Sequence, residues 1–463
     1  MRLTLSFCAL SIGALTFCAP SNAQNQGQLA SDFSREGQDF HKDCSSFKSL
    51  FSCGQLLVTG SPLRITAGSI APENGMGFGP AFVFDKNYPA WRVNFNADAV
   101  VSVNKSWRTG VYVKLAKTPT TPPIVVVTQR PTRPIQASPP APAPEFNLYV
   151  QATSLNHLDY YGIGNSTSRN DLALFGMREE IVGGNAIYPL GNSGLALFGE
   201  LNGRFVSLHN ESSSTVPSIT QQVAIFPNLT PPGLTSQPGF LQAGEGLRFS
   251  RDIGSHFDLD YSAVFQEYVA PSNSTYSFRR LNLDFNHVIL LYGRSSAIST
   301  THSYGPDGSP EVMTNRSFVR NRNGSVTLGV QLSESYAASG HVVPFYFQPT
   351  IGGSDINGDQ LLPSYPDYRF RAPNLLVFHG AFEHSIWGPI GVQFKTDYGR
   401  VAETRGDLGL DHFRHSFAAG LTIRAGNLPV VSLLFAWGGH EGTHTIAYIN
   451  PSLLGATGRP SLF

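Results

Sequence analysis

Period-two alternation of apolar and polar residues recurs along nearly the whole chain, and it restricts the chain to β-structure. In "WRVNFNADAVVSV" one face carries Trp91, Val93, Phe95, Ala97, Ala99, Val101 and Val103; the other carries Arg92, Asn94, Asn96 and Asp98, then Val100 and Ser102. "HFDLDYSAVFQ" sets Phe257, Leu259, Tyr261, Ala263 and Phe265 against Asp258, Asp260, Ser262, Val264 and Gln266. "RRLNLDFN", "IGVQFKTDYG" and "SFAAGLTIRAG" repeat the pattern. Successive side chains of a strand point to opposite faces, so each segment has one greasy and one wet side. No stretch holds a helical period.

Two architectures fit such segments: a soluble β-protein with apolar faces turned inward, or an outer-membrane barrel with those faces turned to lipid. The barrel is favoured on three grounds. Segments of about ten residues can cross a bilayer at a tilt. A closed barrel pairs every backbone group, as hydrocarbon demands. Aromatics gather near segment ends (Trp91, Trp107, Tyr112, Tyr268, Tyr276, Trp387, Tyr398, Trp437 and Tyr448), where interfacial girdles would sit. Charged residues make up 14% of the chain, against roughly a quarter in ordinary soluble proteins. The formal net charge is zero, and nothing points to a nucleic-acid partner.

The start, "MRLTLSFCALSIGALTFCAPSNAQ", reads as a secretory signal peptide over residues 1–23. Arg2 is its positive end, residues 3–18 its apolar stretch and Ser21-Asn22-Ala23 its cleavage site. No later apolar run is long enough for a membrane helix. Residues 24–60 form a short periplasmic segment in which Cys44 and Cys53 are expected to pair in an oxidising compartment. The remainder, 61–463, is expected to be an all-β transmembrane antiparallel β-barrel of about sixteen strands, in outer-membrane lipid.

The candidate strands are 63–70, 75–84, 91–103, 107–116, 145–154, 171–185, 195–208, 241–251, 256–268, 276–291, 325–337, 370–386, 390–401, 416–425, 429–438 and 443–451. Eleven precede the stretch "GGSDINGDQLLPSYPDYRFRAPN" at 352–374 and five follow it. If the first strand runs outward, this loop lies outside, and so does the long segment 209–240. The short links "RDIGSH", "WGP" and "AGNLP" then fall on the periplasmic side, as short turns should. The Pro-rich stretch 118–144 and the segment 293–324 become long periplasmic excursions. Alternatively, 118–144 links a separate N-terminal piece to a smaller barrel.

The residues "VPFYFQPTIGGSD" (343–355), "YPDYRFRAPN" (365–374) and "TDYGRVAE" (396–403), in that order and spacing, resemble the Omp85 superfamily, the D15-like surface-antigen barrels that include outer-membrane assembly factors. Weaker similarity covers 71–84, 160–168 and 276–285. The resemblance implies that the loop after strand eleven folds back into the lumen as a lid, carrying Gly352, Gly353, Tyr365, Arg369, Phe370 and Arg371. It also implies that a lid arginine meets an acid on the strand bearing Asp-x-Gly, here Asp397 and Gly399. The tip departs from the pattern: Leu362-Pro363-Ser364-Tyr365 stands where Leu-Arg-Gly-Tyr is expected, after an insertion, "INGDQL". A carboxylate facing a narrow lumen needs a partner, and Arg369 or Arg371 is the expected substitute for the missing tip arginine. Gly352 and Gly353 are expected to allow sharp re-entry of the backbone.

By the same resemblance, the work is insertion or translocation of polypeptides or lipid at the outer membrane. Unfolded outer-membrane or secreted polypeptides would be the partners. A seam at "HTIAYIN" (444–450) would open, weakened by Pro451, Gly455, Gly458 and Pro460 beyond it. The family's periplasmic docking modules are not expected, because 24–60 is too short for a typical domain. The alternative is a transport or structural barrel without insertase activity. "HEGTH" at 440–444 fits H-E-x-x-H, which needs a helix to put His440 and His444 on one face with Glu441 as base. The glycines and threonines around it favour a hairpin loop. Asp258, Asp260 and Asp284 are expected to line water rather than form a dyad. No catalytic residue, metal or cofactor is expected.

Overall fold

The structure, a computed structural model, describes residues 62–117, 143–253, 256–293, 299–304, 310–315, 323–387, 389–425, 428–439, 441–449 and 459–462. The signal peptide, Cys44, Cys53, residues 118–142, His440, Pro451, Gly455 and Gly458 lie outside the described residues. The chain divides into two units, 1–62 and 63–463, and every described strand belongs to the second.

These strands are β1 (Leu63–Ser69), β2 (Met76–Asn87), β3 (Trp91–Ser102), β4 (Trp107–Lys117), β5 (Glu145–Tyr160), β6 (Ala173–Pro189), β7 (Leu195–Asn210), β8 (Phe240–Ile253), β9 (Phe257–Val269), β10 (Phe278–Gly293), β11 (Ser299–Tyr304), β12 (Pro310–Asn315), β13 (Asn323–Tyr336), β14 (Thr350–Ile351), β15 (Phe370–Arg371), β16 (Asn374–Trp387), β17 (Ile390–Ala402), β18 (Arg414–Ala425), β19 (Leu428–Gly439) and β20 (Gly442–Ile449). Sixteen of these form one antiparallel sheet in chain order, from β1 to β10, then β13, then β16 to β20. All sixteen expected segments are therefore strands. The fifth is longer than expected, and the twelfth begins at Asn374 rather than 370, because Phe370 and Arg371 pair with β14. Two features went unforeseen. β11 and β12 form a separate hairpin in the β10–β13 connection, and a short helix, α1 (Ile219–Ile225), sits in the β7–β8 connection. Among the described residues no helix is long and apolar enough to cross a membrane.

The two faces of the sheet decide the architecture. On β5, Leu148 and Val150 are 55% and 57% exposed, while Tyr149 between them and Asn147 and Gln151 on either side are 4%, 8% and 3% exposed. On β7, Leu201 and Phe205 face out and Asn202 and Arg204 are buried. On β18 and β19, Leu421 and Leu433 face out and Thr422 and Ser432 are buried. The greasy faces are thus on the outside and the polar faces inside, the reverse of a soluble sandwich. Leaving each such Leu, Val or Phe in water forfeits about 1.5–3 kcal/mol. A continuous belt of them is stable only against hydrocarbon.

The inside is a hydrogen-bonded belt. Tyr112 Oη donates to Gln151 Oε1 at 2.9 Å, and Tyr149 Oη to Asn202 Oδ1 at 2.9 Å. Asn202 Nδ2 reaches Gln242 Oε1 at 3.1 Å. Gln266 Nε2 donates to Glu200 Oε1 at 2.7 Å, and Asn282 Nδ2 to Gln266 Oε1 at 2.9 Å. Within it Arg204 pairs with Glu179 at 2.7 Å, both fully buried. This corrects one expectation. Trp387, Tyr398 and Trp437 are exposed as girdle residues would be, but Tyr112 and Tyr268 are buried in the interior. Their hydroxyls find partners there, which lipid would not supply.

Candidate functional site: the lid and its anchors

The β13–β16 connection, 337–373, does not skirt the mouth of the sheet but fills it. A sequence too polar to suggest a core becomes one. Phe345, Tyr346, Phe347, Ile351, Leu362, Tyr365, Tyr368 and Phe370 are all buried. Phe345 meets Phe175 and Tyr160 edge-on at centroid distances of 5.2 and 5.5 Å. Phe347 meets Phe240 at 5.0 Å and Tyr268 at 5.4 Å. The tight turn Phe345–Phe347 leaves carbonyls inside, and two buried guanidiniums take them up. Arg371 Nη1 donates to Phe345 O at 2.8 Å, and Arg280 Nη2 donates to Phe347 O. Arg371 also has its own carbonyl bonded, by Gly164 N at 2.7 Å. Burial, slightly offset by the Tyr160 and Tyr368 hydroxyls nearby, lowers the Arg371 guanidinium to about 10, so it stays charged at neutral pH.

Gly352 and Gly353 make the re-entry, with φ of 106° and 58°. A Cβ on Gly352 would lie 2.5 Å from Arg369 Cβ, and one on Gly353 would lie 2.6 Å from Asp367 N. Only glycine fits both conformation and space. Leu362 and Tyr368 also take positive φ, 56° and 57°, without being glycine. Such strain persists only where surrounding contacts enforce it.

Asp397 does anchor the lid, but no arginine is involved. Its Oδ2 accepts a hydrogen bond from Leu362 N at 3.1 Å, and next to it Ser364 N donates to Ser416 Oγ at 2.8 Å. Gly399 serves by its lack of a side chain: a Cβ there would crowd Ile351, Val377 and Leu362 at 3.1 to 3.3 Å. The expected pairing of Arg369 or Arg371 with Asp397 is therefore wrong. Arg371 turns to carbonyls, and Arg369 turns to Glu441. Its Nε and Nη2 grip Glu441 Oε2 and Oε1 at 2.7 and 2.6 Å, and Nη1 and Nη2 bond Thr167 Oγ1 and O at 2.8 and 2.6 Å. The guanidinium lies between the rings of Tyr161 and Phe370, 4.8 and 4.5 Å from their centroids. A fully satisfied, bidentate, nearly dry pair is the strong kind.

Glu441 belongs to "HEGTH". The residues from Gly442 to Ile449 form strand β20, so His444 stands on a strand and not on the helix that the motif needs. Among the described residues no cluster of three metal-ligating side chains is present. The β19–β20 turn is instead half of a latch. Tyr365 packs where a Cβ on Gly439 would stand, 2.7 Å from its ring. Arg169 Nη1 bonds Glu441 O at 2.9 Å, and Tyr368 Oη bonds Pro72 O at 3.0 Å. The lid so ties together the β1–β2 and β19–β20 turns, at the two ends of the sheet, and the β5–β6 connection between them. Beside Pro72, the Glu73 carboxyl is raised by burial and by Asp159. Asp367 of the lid is pushed up to about 6, mainly by burial, with Glu73 and Asp159 adding to it and the Ser354 N–H opposing.

A further element had no signal in the sequence. Residues 459–462, which follow β20, run inside the sheet. Arg459 pairs with Asp98 on β3, Ser461 O accepts from Arg204 Nη2 at 3.0 Å, and Leu462 N donates at 2.9 Å to Asn357 Oδ1 in the lid's insertion. Pro460 and Leu462 help line a cavity of about 960 Å3, bounded by β1 on one side, β20 on the other and the lid above.

No protein-family model matches the sequence, and no curated protein does. Among solved structures, the chain is similar to BamA from Haemophilus ducreyi lacking POTRA domains 1–3, with 11% identity and a TM-score of 0.46 over 83% of this chain and 69% of that one. It is also similar to CdiB from Acinetobacter baumannii (9%, TM-score 0.44, 83% of this chain and 59% of that one) and from Escherichia coli (10%, TM-score 0.44, 84% and 63%). The match thus spans less than two thirds of either CdiB chain. Similarity at this level transfers no activity, substrate or partner.

Proposed function

We propose that this chain is an Omp85-type barrel of the bacterial outer membrane that inserts or translocates polypeptide at the seam between β1 and β20, with the lid latched across that seam. One observation carries the reading. β1, one terminal strand of the sheet, has seven residues, whereas its neighbour β2 has twelve; β20, the other terminal strand, is described over Gly442–Ile449. The large cavity lies between them. A short terminal strand beside open space forms the kind of edge to which an incoming strand can add through main-chain hydrogen bonds. The Arg369–Glu441 pair joins the lid to the turn that precedes β20, so releasing one frees the other.

A plugged structural barrel is the second reading, favoured by the dense aromatic packing of the lid. Cysteines at 369 and 441 joined by a short bis-maleimide would lock the latch without removing the lid. In cells depleted of the native chain, the locked form is expected to leave other barrel proteins missing from the outer membrane, and the unlocked cysteine pair to restore them. Normal levels of those proteins on depletion, with altered solute uptake, would establish the second reading.

A further inference from the structure

The segment 459–462 answers demands made by the wall. Asp98 stands buried on the polar face of β3, between Ala81 of β2 and Gly110 of β4 in the strand register. Neither neighbour has a donor side chain, and the Tyr112 hydroxyl fills the space that a Cβ at 110 would take. The partner comes from inside: Arg459 pairs with Asp98, its guanidinium 5.7 Å from the centroid of the Tyr112 ring. Among the described residues Asp98 makes no other ion pair. Arg204, fully buried, gives Nη1 to Glu179 and Nε to Gln242, and its Nη2 donates to Ser461 O at 3.0 Å. Removing the segment would strip a buried carboxylate of its ion pair and a buried N–H of its acceptor, which is costly.

The same four residues reach the lid. Pro460 has no N–H and cannot donate there as a strand of the wall would. Leu462 N instead donates at 2.9 Å to Asn357 Oδ1, in the insertion 356–361. The Leu462 side chain is buried in the apolar cluster that also holds Ile70 beside β1, Val100 of β3 and Ile356 of the insertion. Lys395 Nζ of β17 donates to Gln360 O at 3.3 Å. The insertion is thus strung between β17 and residues 459–462. Arg459, Pro460 and Leu462 line the cavity between β1 and β20 together with Asn357, Gly358 and Asp359 of the insertion.

We propose that residues 459–462 are an internal strap that keeps the lid insertion seated across the seam cavity, and that Arg459 must leave Asp98 before a polypeptide can enter. The gating half of this rests on the seam reading above; the coupling of strap to insertion does not. One ion pair makes a suitable release point. It holds while nothing competes for the carboxylate, and an incoming chain that carries a guanidinium or ammonium can take Asp98 in exchange. The Arg369–Glu441 latch bonds Thr167 and the β19–β20 turn rather than the strap, so the two restraints release separately.

The strap is tested by hydrogen exchange on the full chain in detergent, with no client present. In Arg459→Gln, exchange at Gly358 and Leu361, whose N–H groups bond Asp355 O and Gly353 O, should rise about tenfold, with the β19–β20 turn unchanged. Asp98→Asn should act likewise. The double variant should exchange no faster than the faster single, because each change removes the same pair. The strap is overturned by an insertion that exchanges at the wild-type rate in Arg459→Gln, by additive effects, or by equal acceleration throughout the sheet. Gating is tested with cysteines at 357 and 462, in a chain carrying Cys44→Ser and Cys53→Ser. In cells depleted of the native chain, the oxidised pair should leave other barrel proteins missing from the outer membrane, and the reduced pair should restore them. Restoration by both forms would overturn the gating. Barrel levels indifferent to depletion itself would overturn the seam reading and the gating with it, while the exchange result still decides the strap.

Discussion

The two ends of the interior are built on opposite principles, though the same strands line both. Toward the end away from the lid, β5, β7, β8 and β9 turn Asn147, Gln151, Asn202, Gln242 and Gln266 inward, a wet belt held by side-chain hydrogen bonds. Toward the lid, the same wall turns Leu155, Leu158, Tyr160, Phe240 and Tyr268 inward. These close on Phe345, Tyr346 and Phe347. A barrel wall can afford a dry core only where something apolar comes in to meet it. The lid is that something, so its seat is written into the wall as well as into the loop. Individual bonds should count for little in the wet half, and individual rings for much in the dry half.

Phe347→Ala should give the largest effect, a loss of about 3–5 kcal/mol from cavity formation, read as new protease cleavage within 352–373 while the sheet stays intact. Arg369→Ala leaves Glu441 nearly buried and unpaired and should cost about 3 kcal/mol; Arg369→Lys should recover only part, because an ammonium cannot bond both carboxylate oxygens and Thr167 in one plane. Hydrogen exchange of the β19–β20 turn would read both. Tyr149→Phe, in the wet half, removes one hydrogen bond to Asn202 and should cost only about 1 kcal/mol in denaturant melts. A larger loss there than at Phe347 would break the contrast between the halves.

The smallest effect is a pH dependence. Asp367 titrates near 6 in the folded lid, against about 3.9 in an unfolded chain. The folded lid therefore binds more protons, and its grip is full below about pH 4 and declines as pH rises through about 6. After correction for intrinsic exchange, hydrogen exchange at Ser354, whose N–H bonds Asp367, should be faster at pH 7.5 than at pH 5. Asp367→Asn should flatten the difference.

Much of this was open to inference from the chain alone, and for a simple reason. Strand faces alternate with a fixed period, so Leu148 against Gln151 declares a strand by residue type and spacing. The loop's glycines and Asp397 were open to inference as well, because backbone re-entry and a buried acid make local demands. The partners were not. Arg369 and Glu441 are 72 positions apart, and nothing in either segment tells an arginine which of two acids it will meet. Glu441 was obscured further by a motif that suggested metal chemistry. Tyr112 and Tyr268 were misassigned to the membrane interface because a tyrosine near a strand end looks the same whether it faces lipid or a polar lumen. Arg459 could not have been placed at all, since only the curl of the sheet brings it to Asp98.

The claim beneath all of this is that the apolar face of each strand looks out into hydrocarbon. Single spin labels at 146 to 151 on β5, with the chain in lipid bilayers, test it directly. Collision with oxygen should be high at 146, 148 and 150 and low at 147, 149 and 151, while a water-soluble nickel reagent fails to reach the first set. Strong collision with the nickel reagent at 146, 148 and 150, or shielding of those positions from both probes, would contradict it.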